Sequence, residues 1–191
     1  FHRHLRSRFP RYRDTFKQAA KAAELDWRLV AAVAYQESHW RANAVSPTGV
    51  KGLMMLTRRT AKRMGVVDRR DPSESIRGGA RYLRELLGWV PSTIDPADRL
   101  WFALAAYNVG AGHLLDARYL TELLGRNSRR WLDVREHLPL LGVPTWYQQT
   151  RYGKADGRQA VTYVGNIRRY YEAFRLEPLR PLINLDALSD E

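Results

Sequence analysis

The sequence predicts an all-α domain with at most a minimal β component, built around one central helix. Apolar residues recur at three- and four-residue spacing along most of the chain, whereas strictly alternating segments are nearly absent. Asp-Pro occurs at 71–72 and at 95–96, and each pair combines an N-cap acceptor with a proline at the first helical position. The chain has 191 residues, 45% of them apolar, and a domain of this length removes about 70% of its unfolded surface from water. One hydrophobic core is therefore expected.

These signals place the helices in order along the chain. Helices are predicted over 11–24, 26–39, 72–88, 96–108, 113–124 and 158–175. Asp26 is a suitable N-cap for the second helix, and Ser128 is expected to cap a further short helix that ends before Pro139. The stretches VSPTGVKG and GVPTWYQQTRYGKADG are rich in Pro and Gly and are predicted to be the main loops.

The ends of the chain differ from its middle in composition. Residues 1–13 contain the basic cluster HRHLRSRFPRYR and are predicted to form an N-terminal arm or linker. Residues 14–175 form the predicted folded domain. Residues 176–191 hold Leu-rich fragments broken by Pro178 and Pro181, which predicts an extended tail. The chain begins with Phe1 and shows no leader segment, so we interpret it as a mature or excised piece of a longer protein.

Charge and composition argue against a nucleic-acid interface and a metal site. The net charge is +12, and five of the 32 basic residues are Lys. The basic residues are spread along the chain in pairs, without a stripe of interleaved aromatic residues, so a solvated basic surface is favoured over a nucleic-acid interface. No Cys is present, and the five His lack ligand-like spacing except for His2 and His4 in the basic arm. No metal ion or other cofactor, and no nucleic-acid partner, is expected.

Glu37 occupies an unusual position in the predicted central helix. One face of that helix carries Val30, Val33, Ala34 and Glu37, which are spaced i, i+3, i+4 and i+7. A carboxylate on this face loses contact with water and also lies near the negative end of the helix dipole, and both effects raise its pKa. A Glu that stays protonated near neutral pH can act as a general acid. If the helix ended at Tyr35 or Gln36, Glu37 would instead point to water and pair with Arg41.

Four ordered sequence blocks support the interpretation that Glu37 lies on the buried face and acts as a general acid. They are Glu37-Ser38; Asn43, Ser46-Pro47, Gly49, Gly52-Leu53-Met54 and Thr60-Ala61; AAYNVGAG at 105–112; and Tyr163-Val164. Taken together they resemble the lysozyme-like lytic transglycosylases, family 23 of the glycoside hydrolases. The stretches GLMMLT and YVGNIRRYY are most similar to the membrane-bound F branch of that family. The resemblance covers about residues 25–172. It implies a lysozyme-like globule over 14–175 whose central helix carries the catalytic Glu37.

The resemblance also implies a reaction. Members of the family cleave the β-1,4 bond between N-acetylmuramic acid and N-acetylglucosamine in peptidoglycan without water and leave a 1,6-anhydro ring. Glu37 would act first as the acid and then as the base, and the substrate's acetamide would stabilise the positive charge at the anomeric carbon. Consistent with a single catalytic carboxylate, no Asp or Glu occurs from Ser38 to Val67.

The matched positions imply roles for further residues. Leu53 and Met54 would form the floor of a sugar subsite, and Ser46 would hydrogen-bond near the acetamide or Glu37. The other implied site residues are Tyr107 and Asn108 at the cleft edge, Tyr163 orienting the Glu37 carboxyl, Ser38 in support, and Met55 and Gln159 where the family usually has Gln and Glu. For several of these residues a structural role fits the local sequence as well: a turn hydroxyl for Ser46, core packing for the Met pair and Tyr163, and a helix end for Asn108.

The expected partners are peptidoglycan glycan strands, together with an N-terminal regulatory domain outside this chain. By resemblance the full-length protein is expected in the periplasm, associated with the outer membrane through an anchor that is also outside this chain. Two alternatives remain open at this point. One is a hydrolysing lysozyme of the goose type, which needs a positioned water and a second acid. The other is a non-catalytic cationic module that binds wall polymer or nucleic acid.

Overall fold

The computed structural model describes residues 1–176, in which helices are the only regular elements. The α-helices are α1 His2–Ser7, α2 Arg13–Ala22, α3 Trp27–Ser38, α4 Arg58–Arg63, α5 Pro72–Trp89, α6 Pro96–Val109, α7 Ala111–Leu123, α8 Trp131–His137, α9 Pro144–Tyr147 and α10 Gly157–Leu176. Short 3₁₀ segments occur at Phe9–Arg11 and Leu138–Gly142. Extended pairing in this part of the chain is limited to single bridges in the loop between α3 and α4. The predicted all-α class with minimal β structure is confirmed.

Three helices begin at the acidic residues that the sequence singled out. The side chain of Asp26 accepts the Arg28 backbone N–H at 2.9 Å. In the same way, Asp71 accepts the Glu74 N–H at 2.7 Å, and Asp95 accepts the Ala97 N–H at 2.8 Å. Each bond satisfies an N–H group that the first helical turn leaves without a partner, which explains why these helices start where they do.

Other elements depart from the expectation. Helix α4 lies where the sequence predicts no helix, although Thr57 caps it by accepting the Thr60 N–H at 3.1 Å. Helix α9 is a single turn inside a stretch predicted to be a loop. The prediction that Ser128 caps the short helix is wrong, because α8 begins at Trp131 and the Ser128 hydroxyl donates to the Glu122 carboxylate instead.

The basic segment 1–13 folds against the rest of the molecule. The ring of Phe1 stacks on Tyr170 of α10 with centroids 5.3 Å apart, and Phe9 is 6% exposed. Arg8 donates to the His39 carbonyl at the end of α3, at 3.0 Å. Aromatic residues between the charges anchor this segment, so it does not project as a free arm. The division into an arm, a domain and a tail stays a prediction; Leu176 ends α10, and the rest of the predicted tail lies outside the described residues.

Helix α3 is the central element of the core. Every residue from Leu29 to Tyr35 is buried. Helices α2, α5 and α10 pack against α3, and α10 also packs against α6. The last turns of α3 and α6 and the first half of α10 come together around Glu37, through Tyr107 and Tyr163. Within the described part of the chain, no helix is long and apolar enough to cross a membrane.

Candidate active site

Glu37 lies in the last turn of α3, one residue before the helix ends at Ser38. The chain then turns sharply, since His39 and Trp40 both have left-handed backbone conformations, with φ of 52° and 55°. Trp40 is 1% exposed and its indole N–H donates to the Ala31 carbonyl at 2.9 Å, which locks the turn against the helix. The alternative in which the helix ends before Glu37 is therefore wrong.

The carboxyl of Glu37 faces a tyrosine on the last helix. The Tyr163 hydroxyl donates to Oε1 of Glu37 at 2.6 Å, and Tyr163 is 4% exposed. Arg41, the other partner considered for Glu37, donates instead to the Ser38 carbonyl at 3.1 Å. The Glu37 carboxyl is thus held by a neutral hydroxyl.

Burial raises the pKa of Glu37 to about 7, and the hydrogen bond from Tyr163 opposes this increase in part. The position at the carboxyl end of α3 acts in the same direction as burial. Among the described residues, no second carboxylate contributes to the Glu37 pKa. Near neutral pH, Glu37 can therefore both donate a proton and accept one.

Three tyrosines form a row beside Glu37. The rings of Tyr163 and Tyr107 are nearly parallel, 15° apart, with centroids separated by 6.5 Å. Tyr82 of α5 lies next in the row, 5.0 Å from Tyr107. Burial and the charge of Glu37 hold the pKa values of Tyr107 and Tyr163 well above their usual range. Both hydroxyls are therefore neutral donors at any physiological pH.

Sequence reasoning missed Tyr82. Its only local signal is Gly78-Gly79 just before it, where α5 comes close to the segment after α3: a Cβ on Gly79 would lie 2.5 Å from the Met54 side chain. A helix that carries two adjacent glycines in its interior marks a close approach of another segment, and residues on that face are candidates for the site.

The turn at 52–55 is fastened to both sides of the site. The Ser38 hydroxyl lies 3.0 Å from the Leu53 carbonyl and 3.1 Å from the Ala34 carbonyl, so it links this turn to α3. Ser75 of α5 accepts the Met54 N–H at 3.1 Å, and the Tyr107 hydroxyl donates to the Met54 carbonyl at 3.0 Å. Ser38 thus joins the turn to the helix that carries Glu37.

Gly52 permits this turn to approach the chain before α5. Its φ is +85°, and a Cβ at this position would lie 1.8 Å from the Arg69 carbonyl oxygen. No side chain fits there without moving backbone. The glycine is therefore required by both its conformation and its surroundings.

The side chains of Leu53 and Met54 are fully buried, with 0% exposure. They are buried because Ser38, Ser75 and Tyr107 hold this turn in the core. Their assignment to the floor of a sugar subsite stays a prediction. Met55, which stands where the family usually has Gln, is partly exposed, with a left-handed φ of 46°.

Ser46, Asn108 and Gln159 form no hydrogen bond with Glu37, which accepts from Tyr163. The Ser46 hydroxyl bonds within its own turn, 2.9 Å from the Thr48 hydroxyl, and it accepts the Val50 N–H at 3.2 Å. Asn108 is partly exposed in the last turn of α6, and Gln159 is exposed one turn before Tyr163 on α10. Their assignment to substrate binding stays a prediction. Among residues 1–176, no three His, Asp or Glu side chains are grouped to hold a metal ion.

Comparison with known proteins agrees with this geometry. Residues 14–127 match the family described as the transglycosylase SLT domain. The chain belongs to this family. The match begins at α2 and ends after α7, so it includes Glu37, the turn at 52–55 and Tyr107, while Tyr163 lies beyond it.

Relatives of this SLT domain include two proteins named membrane-bound lytic murein transglycosylase F. The one from Marinobacter nauticus is 58% identical over 172 residues, covering 90% of this chain and 34% of the relative. The one from Alcanivorax borkumensis is 58% identical over 172 residues, covering 90% of this chain and 37% of the relative. The chain thus spans about a third of the length of these relatives.

Two solved structures share the fold of this SLT domain. The 70 kDa soluble lytic transglycosylase of Escherichia coli matches with a TM-score of 0.62 and 24% identity, over 86% of this chain and 24% of that one. An inactive mutant of the lytic transglycosylase Slt of Pseudomonas aeruginosa matches with a TM-score of 0.58 and 24% identity, over 84% and 23%. These matches confirm the predicted lysozyme-like helical fold.

Proposed function

We propose that this SLT domain is a peptidoglycan lytic transglycosylase that cleaves the β-1,4 bond between N-acetylmuramic acid and N-acetylglucosamine without water. The observation that carries the proposal is the Glu37 carboxyl, which has a pKa raised to about 7 and accepts a hydrogen bond from Tyr163. Membership in the SLT family and the names of its relatives support the same substrate.

The reaction begins with proton transfer from Glu37. The protonated carboxyl donates to the bridging oxygen, and the bond from that oxygen to the muramyl anomeric carbon breaks with its electron pair leaving on the oxygen. The carbonyl oxygen of the substrate's own acetamide bonds to the anomeric carbon and takes up its positive charge. No second protein carboxylate is needed for this step, in agreement with the electrostatic surroundings of Glu37 within residues 1–176.

The second step uses the same carboxyl in the opposite role. Glu37, now ionised, accepts the proton of the muramyl C6 hydroxyl, whose oxygen displaces the acetamide from the anomeric carbon. The product carries a 1,6-anhydro ring, and Glu37 is protonated again. The Tyr163 hydroxyl keeps the carboxyl in one orientation through both steps, because it remains a neutral donor.

The products of purified sacculi test this proposal. Mass spectrometry should show muramyl ends lighter by one water than reducing ends, and Glu37→Gln should abolish their formation. Glu136→Gln removes a carboxylate of similar chemistry on the exposed part of α8, and should leave product formation unchanged. Reducing ends would show a hydrolysing lysozyme, and binding of sacculi without any cleavage would show a non-catalytic wall-binding module.

For the full-length protein we propose action on glycan strands in the periplasm, with attachment to the outer membrane through a segment outside this chain and regulation by an N-terminal domain. The proposal is supported by the name of the relatives, membrane-bound lytic murein transglycosylase F, and by the third of their length that this chain spans. Fractionation of cells that express the full-length protein tests the location. Recovery in the cytoplasmic fraction would contradict it.

A further inference from the structure

A second concave surface lies beside the start of α7. We call it the Tyr152 groove, and it is lined by Leu115, Asp116, Tyr119, Gln149, Arg151 and Tyr152. Its three large apolar side chains are unusually open to water: Tyr119 is 49% exposed, Tyr152 is 47% exposed and Leu115 is 40% exposed. Exposed aromatic residues grouped beside polar side chains are typical of a binding surface.

The groove is held in place by a buried carboxylate. Asp116 is 4% exposed, and its two oxygens accept the backbone N–H groups of Arg151 at 3.1 Å and Tyr152 at 2.8 Å. Burying a carboxylate is costly unless it is fully hydrogen-bonded. This pair of bonds therefore fixes the loop that carries Arg151 and Tyr152 onto α7.

Gly112 gives the Tyr152 ring its position. A Cβ at residue 112 would lie 2.7–2.9 Å from three atoms of the Tyr152 ring, so the ring lies directly on the backbone of the first turn of α7. Only glycine allows this contact. The second glycine of AAYNVGAG is thus explained by an aromatic ring that remains half-exposed above it.

The Tyr152 groove lies at the start of α7, which directly follows the end of α6 that carries Tyr107. Gly112 follows Asn108 by four residues and Tyr107 by five, and five residues span at most about 17 Å. The loop that carries Tyr152 also leads directly into α10, which supplies Tyr163. A polymer lying across Glu37 and the end of α6 would therefore reach Tyr152 within a few sugar rings.

We propose that the Tyr152 groove binds sugar residues of the glycan strand beyond the bond that is cleaved. The exposed part of Tyr119 and the half of Tyr152 left open to water suit the apolar C–H face of a pyranose ring. The Arg151 guanidinium lies 5.5 Å from the centroid of the Tyr152 ring, where it and Gln149 can hydrogen-bond the hydroxyl and acetamide groups of the same sugar. This inference rests on the proposed function, because it assigns an additional subsite to the same polymer. The groove strengthens the binding of long strands and takes no part in proton transfer.

Binding and cleavage of substrates of two lengths test the inference. The inactive Glu37→Gln protein is titrated with peptide-free glycan strands and with a tetrasaccharide that covers only the cleaved linkage and its neighbours. Adding Tyr152→Ala should weaken binding of the long strands about five- to tenfold, the effect of one aromatic contact, and leave tetrasaccharide binding unchanged. In the active protein, Tyr152→Ala should raise KM for long strands with little change in kcat.

Three further variants separate a binding role from a structural one. Tyr152→Phe keeps the ring and should retain long-strand binding, whereas Gly112→Ala displaces the ring and should weaken it to the same extent as Tyr152→Ala. Trp89→Ala is the matched control, because Trp89 is also an exposed aromatic residue, 37% exposed. It lies at the end of α5, which Arg99 ties to the start of α6. The start of α6 is about 20 Å from the end of α6 that faces the groove, so Trp89→Ala should bind like the parent protein.

The possible outcomes distinguish this inference from the proposed function. Equal affinity of the Tyr152→Ala and parent proteins for long strands, with both folded by circular dichroism, overturns the inference alone. A loss seen only with peptide-bearing strands also overturns it, since the groove would then bind the stem peptide. Failure of the unmodified protein to cleave or bind any glycan strand overturns the proposed function and removes the basis of the inference.

Discussion

Replacement of Glu37 by Gln should remove activity and, at the same time, stabilise the folded protein at alkaline pH. The pKa of Glu37 is raised from 4.5 to about 7 by burial. Between these values the folded state binds a proton that the unfolded state has lost, so the stability of the unmodified protein falls as pH rises through this window. Above about pH 7 the unmodified protein has lost about 3 kcal/mol of its free energy of unfolding, because each unit of pKa difference corresponds to about 1.4 kcal/mol. The substituted glutamine side chain is neutral and does not incur this cost, and its carbonyl can still accept from Tyr163.

Urea unfolding of the two proteins at two pH values measures this difference. The free energy of unfolding of Glu37→Gln should exceed that of the unmodified protein by about 1 kcal/mol at pH 5 and by about 3 kcal/mol at pH 8. For a domain of this length, the increase of about 2 kcal/mol corresponds to a rise of about 4–8 °C in the Tm difference. Glu136→Gln, which removes an exposed carboxylate on α8, is the control for the loss of one negative charge.

The result that would refute this reasoning is a stability difference that does not change with pH. Glu37 would then be solvated in the folded protein like any surface glutamate. It would be almost fully ionised at neutral pH and could not serve as the proton donor. The proposed reaction would lose its first step, whatever products the protein formed.

Three further changes test the supports of Glu37. Tyr163→Phe removes a hydrogen bond that lowers the Glu37 pKa, so the decline in kcat/KM above about pH 7 should move about one unit higher, and the maximal rate should fall. Ser75→Ala leaves the buried Met54 N–H without an acceptor and should cost about 1–3 kcal/mol of stability. Gly52→Ala places a Cβ against backbone and should cost at least about 2 kcal/mol and lower activity with it.

Separate measurements check each of these changes. The pH dependence of kcat/KM on soluble glycan strands tests Tyr163→Phe, and an alkaline limb that stays in place or moves lower would contradict the role of this bond. Urea unfolding tests the other two. Ser75→Thr keeps the hydroxyl acceptor and serves as the control for Ser75→Ala. Gly49→Ala is the control for Gly52→Ala, because Gly49 has a similar φ of +78° but open space around it. If Gly49→Ala and Gly52→Ala cost the same, crowding at residue 52 is not the cause.

The local features of this protein follow from short stretches of its sequence. Asp26, Asp71 and Asp95 start the helices that they were expected to start, because an N-cap needs only an acceptor side chain and the two or three residues after it. The spacing of Glu37 from Val30 fits a buried helical face, but it also left open a helix that ends before Glu37, and the ordered blocks decided between the two. The ordered blocks from Glu37-Ser38 to Tyr163-Val164 were sufficient to indicate the family.

Only the folded chain determines which distant residues meet. Tyr163 reaches Glu37 across 126 residues of sequence, a contact that the family resemblance implied but that no local pattern indicates. The ring of Tyr152 lies on Gly112, which neither the pattern nor the resemblance indicated. The sequence left core packing of Met54 open beside a place in a sugar subsite. Only the structure shows its burial, because the turn is held by hydrogen bonds that come from three separate helices. Periodicity and capping depend on residues within one or two helical turns. The geometry of a site depends on how whole helices pack against one another, and the spacing of residues along a single helix does not determine that packing.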